Sequence, residues 1–91
     1  MSNNRIQNPN ALTEGGLPAV LQAVAKLDPF YDLELLSDIS YCVGAKLHQW
    51  SYDFTKTQRA IWKKALDAGF EPDGLMAHIE IAMLEGFEES R

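Results

Sequence analysis

The sequence predicts an all-α fold, a compact bundle of four helices, or five if one of them is broken, behind a short flexible N-terminal arm. Three observations predict it. Apolar residues recur at helical spacing along most of the chain. Capping residues and turn glycines separate these apolar stretches. With 46% apolar residues in a chain of 91, the sequence suits one folded domain with a modest core.

The N-terminal segment, residues 1–16, is polar, rich in Asn and ends in Gly-Gly. It predicts an extended or mobile arm, so that 17–91 forms the single helical domain. The first predicted helix spans Leu17 to Leu27, and Pro18 suits its first turn because the missing N–H costs nothing there. Its apolar stripe comprises Leu17, Val20, Leu21, Val24 and Leu27.

The second predicted helix begins with Asp28 as N-cap and Pro29 as its first residue, and it extends to Trp50. Ser37 and Asp38 compete for backbone hydrogen bonds, so the sequence leaves open a break there into a short and a longer helix. The apolar stripe of this segment comprises Leu36, Ile39, Val43, Leu47 and Trp50.

The stretch WSYDFT, residues 50–55, alternates aromatic and polar residues as a strand does. A lone strand has no partner in this chain, so we expect a loop with aromatics that pack on the core. Thr55 or Thr57 then caps the third predicted helix, which ends near Ala68. Gly69 suits the left-handed position after a helix, and Phe70 folds back on the last turn as in a Schellman cap.

The fourth predicted helix runs from Asp73 or Gly74 to Glu85, and Gly86 with Phe87 is expected to repeat the same cap. This helix is apolar on two sides, with one face made of Leu75, Met76, Ile79, Ala82 and Met83. The opposite face comprises Ala77, Ile81 and Leu84. Such a helix is either central in the bundle or buried by another chain, for example in a homodimer.

The segment ALDAGFEPDGLMAHI, residues 65–79, has the small residue, turn glycine and apolar helix of a helix-turn-helix. A recognition helix must offer Arg, Lys, Asn or Gln to base edges. This one offers His78 beside Glu80 and Glu85, and from Asp67 to Glu89 there are seven acidic residues and no Lys or Arg. Because phosphates would be repelled, we expect a helical hairpin and no DNA reading by this helix.

Charge is segregated along the chain, whose net charge is −5. Solvated surfaces that pair within the fold are the default interpretation. The alternative is that the patches bind partners. The candidate acidic contacts are Asp28, Asp32, Glu34, Asp38, Glu80, Glu85, Glu88 and Glu89. The candidate basic face, on the third predicted helix, comprises Lys56, Arg59, Lys63 and Lys64.

No pattern of catalytic or metal-ligating residues stands out in the sequence. Cys42 and His48 are six residues apart, which places them far round a helix from each other, and Cys42 fits the apolar core better. His48 and His78 lack the spacing of metal ligands. We therefore expect no enzyme, no cofactor and no bound metal. The aromatic set Trp50, Tyr52, Phe54 and Trp62 is expected to fill the core rather than stack on single-stranded nucleic acid.

A lone cysteine excludes an internal disulfide and favours a reducing compartment, the cytoplasm. The polar opening residues predict no signal peptide, and no apolar run approaches the roughly 20 residues of a membrane helix.

In size, acidity, helical content and lack of catalytic residues, the chain resembles the small single-domain inhibitors encoded by phages and mobile elements, including anti-CRISPR proteins. That class shares no common motif, so the resemblance implies no particular residue. It implies a non-catalytic protein that binds a larger protein or ribonucleoprotein target, a nucleic-acid-processing complex, through an acidic surface. The alternative is a small dimeric regulator linked to nucleic acid through the basic face of the third predicted helix.

Overall fold

A computed structural model describes residues 9–90 of the chain. Within these residues the fold consists of α-helices without any strand, so the predicted all-α bundle is confirmed. The helices are α1 (Pro9–Thr13), α2 (Gly16–Ala25), α3 (Leu33–Trp50), α4 (Phe54–Ala68) and α5 (Leu75–Glu89).

The predicted arm is partly structured. Helix α1 lies inside it and packs against α2 and α3, and Thr13 at the end of α1 is fully buried. The prediction of an arm for residues 1–8 falls outside the described residues.

Helix α3 begins at Leu33, four residues later than predicted, because Asp28 organises a turn before it. The Asp28 carbonyl accepts the N–H groups of Tyr31 at 3.2 Å and Asp32 at 2.8 Å. The helix then continues without a break through Ser37 and Asp38 to Trp50. Its buried face includes Leu36 and Ile39 on either side of that pair, and this packing holds the segment helical.

Helix α4 starts at Phe54, and its N-cap lies two residues before the first predicted cap, Thr55, and four before the second, Thr57. The Asp53 carboxylate is the N-cap and accepts the Lys56 N–H at 2.8 Å, so the two threonines lie inside the helix. At its other end Gly69 has a φ of 107°, and the Phe70 N–H donates to the Ala65 carbonyl at 3.1 Å. The predicted Schellman cap is confirmed at this end of α4.

Helix α5 continues past Gly86 to Glu89, so the predicted cap at Gly86 was wrong. Gly86 is instead buried against α3, where a Cβ atom would overlap the Tyr41 carbonyl oxygen. Gly44 of α3 makes the reciprocal approach to the Met83 backbone. These two glycines let α3 and α5 approach more closely than larger residues would allow.

Helices α3 and α5 run in the same direction. Near their starts the His78 Nε2–H donates to the Leu33 carbonyl at 3.3 Å, and near their ends the His48 and Phe87 rings stack with centroids 4.2 Å apart.

The core is filled by side chains from α2, α3, α4 and α5. Its fully buried members include Val20, Val24, Leu36, Ile39, Val43, Ile61, Ala65, Ile79 and Met83. Of the two apolar faces of α5, the one with Ile79 and Met83 is buried, whereas Ile81 is 60% exposed and Leu84 is also exposed. Helix α5 is therefore not enclosed on all sides by this chain.

Candidate protein-interaction surface

The acidic residues come mainly from two stretches of the chain around the neighbouring helices α3 and α5. All acidic residues of the chain except Glu14 and Asp53 lie in segments 28–38 and 67–89, and neither segment contains Lys or Arg. These two segments include the first part of α3 and all of α5, which pack directly against each other. The exposed carboxylates of these two packed helices, which we call the α3–α5 acidic surface, are Glu34 and Asp38 on α3 and Glu80, Glu85 and Glu88 on α5.

The first predicted acidic group divides into two structural roles. Asp32 is 7% exposed, and its Oδ2 accepts the Asp28 N–H at 2.8 Å. Asp28 is half-buried, and its Oδ1 accepts the Phe30 N–H at 2.8 Å. Both carboxylates therefore hold the turn that precedes α3, while Glu34 and Asp38 are exposed on α3 and accessible to a partner.

The second predicted acidic group lies on the outward face of α5. Glu80, Glu85 and Glu88 are exposed, and helical geometry places Glu80 and Glu85 on either side of the strip formed by Ile81 and Leu84.

Glu89, the last residue of α5, is also exposed, and its carboxylate accepts a hydrogen bond from the Tyr41 hydroxyl of α3. This hydrogen bond, with smaller effects of desolvation and of nearby negative charge, raises the pKa of Tyr41 above its ordinary value. Glu89 is therefore engaged with α3, whereas the other three carboxylates of the group face solvent.

An aromatic turn, residues 28–33, is a feature that the sequence analysis missed. Phe30 is 88% exposed and Tyr31 is 76% exposed, and Leu33 is exposed beside them. A groove of about 260 Å³ adjoins this turn and has the apolar lining residues Pro29, Leu33, Phe70 and Leu75. Its polar lining includes Glu71, Asp73 and His78. The available signal was a pair of aromatics directly after Asp-Pro and outside the apolar stripe of α3.

The predicted basic face lies on α4. Lys56, Arg59 and Lys63 are exposed along one side of the helix, and Lys64 is half-buried. In the sequence, the stretch between Asp53 and Asp67 that contains the basic face has no acidic residue.

The nearby aromatic side chains are mostly structural. Trp50, Phe54 and Trp62 pack against the core, and the Phe54 ring meets Phe87 edge to face with centroids 5.7 Å apart. Tyr52 is the more exposed member, 5.5 Å from the Trp50 ring centroid. The expectation of core packing is met by three of the four, which leaves no row of exposed rings beside the basic face.

Cys42 is buried, and desolvation together with the nearby Asp38 charge raises the pKa of its thiol. Within residues 9–90 no three His, Cys, Asp or Glu side chains are grouped so that they could hold a metal ion. None of the helices in the same span is long and apolar enough to cross a bilayer.

The Cys42 thiol is expected to react with a thiol-specific reagent more than about tenfold more slowly in the folded protein than in the denatured chain, because the thiolate is the nucleophile and burial disfavours it. Timed alkylation read by mass spectrometry measures both rates. Equal rates would mean that Cys42 is accessible and poised for chemistry.

Comparison with protein-family models, with curated proteins and with solved structures finds no match to this chain.

Proposed function

We propose that this protein is a non-catalytic interaction module that inhibits a nucleic-acid-processing complex by covering its cationic surface, in the manner of anti-CRISPR inhibitors. The observation that carries the proposal is the α3–α5 acidic surface, in which exposed carboxylates come from two packed helices. The proposed location is the cytoplasm, which suits a single cysteine that remains a buried thiol.

Helix α5 supplies a rigid spacing of negative charge. From Glu80 to Glu88 the helix rises about 12 Å, which is roughly three to four phosphate steps along one strand of DNA. A row of this length suits a groove whose Lys and Arg side chains are arranged for phosphates. Charge complementarity of this kind accelerates association and selects the partner, while exposed ion pairs each add little free energy.

The apolar strip between these carboxylates can supply binding free energy, of which exposed ion pairs provide little. Ile81 and Leu84 are exposed, and their burial by a partner would contribute about 25 cal/mol for each Å² removed from water. A desolvated apolar centre inside a charged rim is the usual anatomy of a protein interface.

The test is a pull-down from host lysate with the tagged protein, with and without nuclease, read by mass spectrometry. We expect the tagged protein to capture a nucleic-acid-processing complex even after nuclease treatment, and we call this result a nuclease-resistant catch. We expect the triple variant Glu80→Gln, Glu85→Gln, Glu88→Gln to lose most of that catch, because it removes the exposed charge and keeps the side-chain shape.

The matched control is the triple variant Lys56→Gln, Arg59→Gln, Lys63→Gln on the exposed side of α4, which should keep the catch. Circular dichroism should show equal helix content in both triple variants, since all six positions are exposed. A nuclease-resistant catch that survives loss of the three glutamates would overturn the assignment to the outward face of α5.

The second candidate is a small dimeric regulator linked to nucleic acid, and the exposed row Lys56, Arg59 and Lys63 favours it. In that case the catch disappears with nuclease, and the control variant, not the glutamate variant, loses it. Direct binding of a DNA fragment that weakens steeply with salt would then assign the function to the basic face.

A further inference from the structure

The groove beside the aromatic turn lies where the segment before α3 meets the segment before α5. Pro29 of the first and Gly69 of the second are neighbours, since a Cβ atom on Gly69 would lie 3.3 Å from the Pro29 Cγ atom. Its apolar lining includes Leu33 from the start of α3, and Phe70 and Leu75 from the segment that leads into α5. Two segments far apart in the chain thus create a concave apolar site of about 260 Å³.

The aromatic turn is held in place before any partner arrives. Asp28 and Asp32 fix its backbone through the side-chain hydrogen bonds described above, and the Leu36 N–H donates to the Asp32 carbonyl at 2.8 Å. The rings of Phe30 and Tyr31 stay in water, with centroids 6.5 Å apart. Large aromatic groups that are exposed on a rigid turn are typical anchors of protein contacts, because little conformational entropy is lost on binding.

Charge around the groove selects the chemistry of its occupant. Glu71 and Asp73 line the groove, and Glu34 is exposed next to Leu33. Neither 27–45 nor 65–90 contains a Lys or Arg. A cationic segment is therefore attracted, whereas a second copy of this surface would bring carboxylates against carboxylates.

We propose that the groove and the aromatic turn bind a short segment of a partner protein in which an aliphatic side chain lies next to Lys or Arg. The aliphatic side chain occupies the space between Leu33 and Phe70, and the cations lie against Glu71 and Asp73. This inference rests on the proposed function to the extent that the partner is a protein, and it names a contact away from the outward face of α5.

The experiment is an NMR titration in which capped tetrapeptides are added to the ¹⁵N-labelled 91-residue chain. The probes are Leu-Arg-Arg-Leu, Ser-Arg-Arg-Ser and Leu-Glu-Glu-Leu. We expect the first peptide to shift the amide resonances of Leu33, Phe70, Gly74 and His78 and to bind at least about fivefold more tightly than the other two, because only it offers both apolar and cationic groups.

Two variants locate the binding, and one serves as the control. Phe30→Ser, and the double variant Glu71→Gln with Asp73→Asn, should each weaken binding of Leu-Arg-Arg-Leu by about fivefold or more. Tyr52→Ser changes an exposed aromatic that lies outside the groove and should leave binding unchanged. Equal binding of the three peptides, shifts confined to other surfaces, or concentration-dependent shifts without peptide would overturn the proposal.

The pull-down separates this inference from the proposed function. A nuclease-resistant catch that needs Glu80, Glu85 and Glu88 but tolerates both groove variants, Phe30→Ser and the double variant Glu71→Gln with Asp73→Asn, would retain the inhibitor and refute the groove as its contact. Peptide binding in the groove together with no catch from lysate would refute the inhibitor and retain the groove.

Discussion

Replacing Gly44 or Gly86 with alanine is expected to destabilise the fold by about 3 kcal/mol, the upper part of the usual range for overpacking. A Cβ atom at Gly44 would overlap the Met83 carbonyl oxygen and lie 2.9 Å from the Met83 Cα, and one at Gly86 would lie 3.0 Å from the Ala45 nitrogen. Both obstacles are helix backbone, which cannot rotate aside as a side chain can, so α3 and α5 must separate. Chemical denaturation followed by circular dichroism measures the loss.

The control for this prediction is Ala77→Gly on the exposed side of α5. Helix propensity alone makes that change unfavourable by about 1 kcal/mol and makes the reverse change favourable by the same amount. The sign of Gly86→Ala therefore discriminates between propensity and packing. A Gly86→Ala protein more stable than the parent would mean that the two helices do not approach closely at this point.

The same local motif, Gly-Phe-Glu, adopts a different structure at each of its two positions in this chain. At Gly69 it ends α4, because Pro72 follows and cannot continue a helix. At Gly86 no proline follows, and α5 continues because the glycine is needed for contact with α3. Sequence periodicity predicted both helices, but the distinction between a cap and a contact depended on a residue of another helix, Tyr41.

Acidic residues could be identified from the sequence as candidate contacts, but their roles could not. Asp28 and Asp32 accept backbone hydrogen bonds in the turn before α3, whereas Glu80 and Glu88 face solvent. Whether an acidic residue holds the turn or faces solvent depends on where α3 begins. The spacing of apolar residues alone does not determine the residue at which a helix starts. The exposure of Phe30 follows from the same shift, since the sequence prediction had included it in a helix.

Ile79→Ala is expected to destabilise the domain by about 2–5 kcal/mol, because it removes a fully buried side chain and leaves a cavity between α5 and the rest of the core. For a domain of this size, each kcal/mol corresponds to a fall of roughly 4–8 °C in Tm. Thermal unfolding followed by circular dichroism measures the effect. A change of less than about 0.5 kcal/mol, the usual range for surface sites, would contradict the burial of this face.

Ile81→Ala is the matched comparison, the same substitution two residues further along α5 on the face that this chain leaves in water. A monomer should lose less than about 0.5 kcal/mol. If a homodimer covers this face, the loss grows with protein concentration, because folding is then linked to association.

Such a dimer brings Glu80, Glu85 and Glu88 near their copies, so salt should strengthen it, whereas salt should weaken the contact with a cationic target. A second copy of the chain and a cationic target thus give opposite salt dependences on the same face of α5. Sedimentation at low and high salt measures the salt dependence of the homodimer directly.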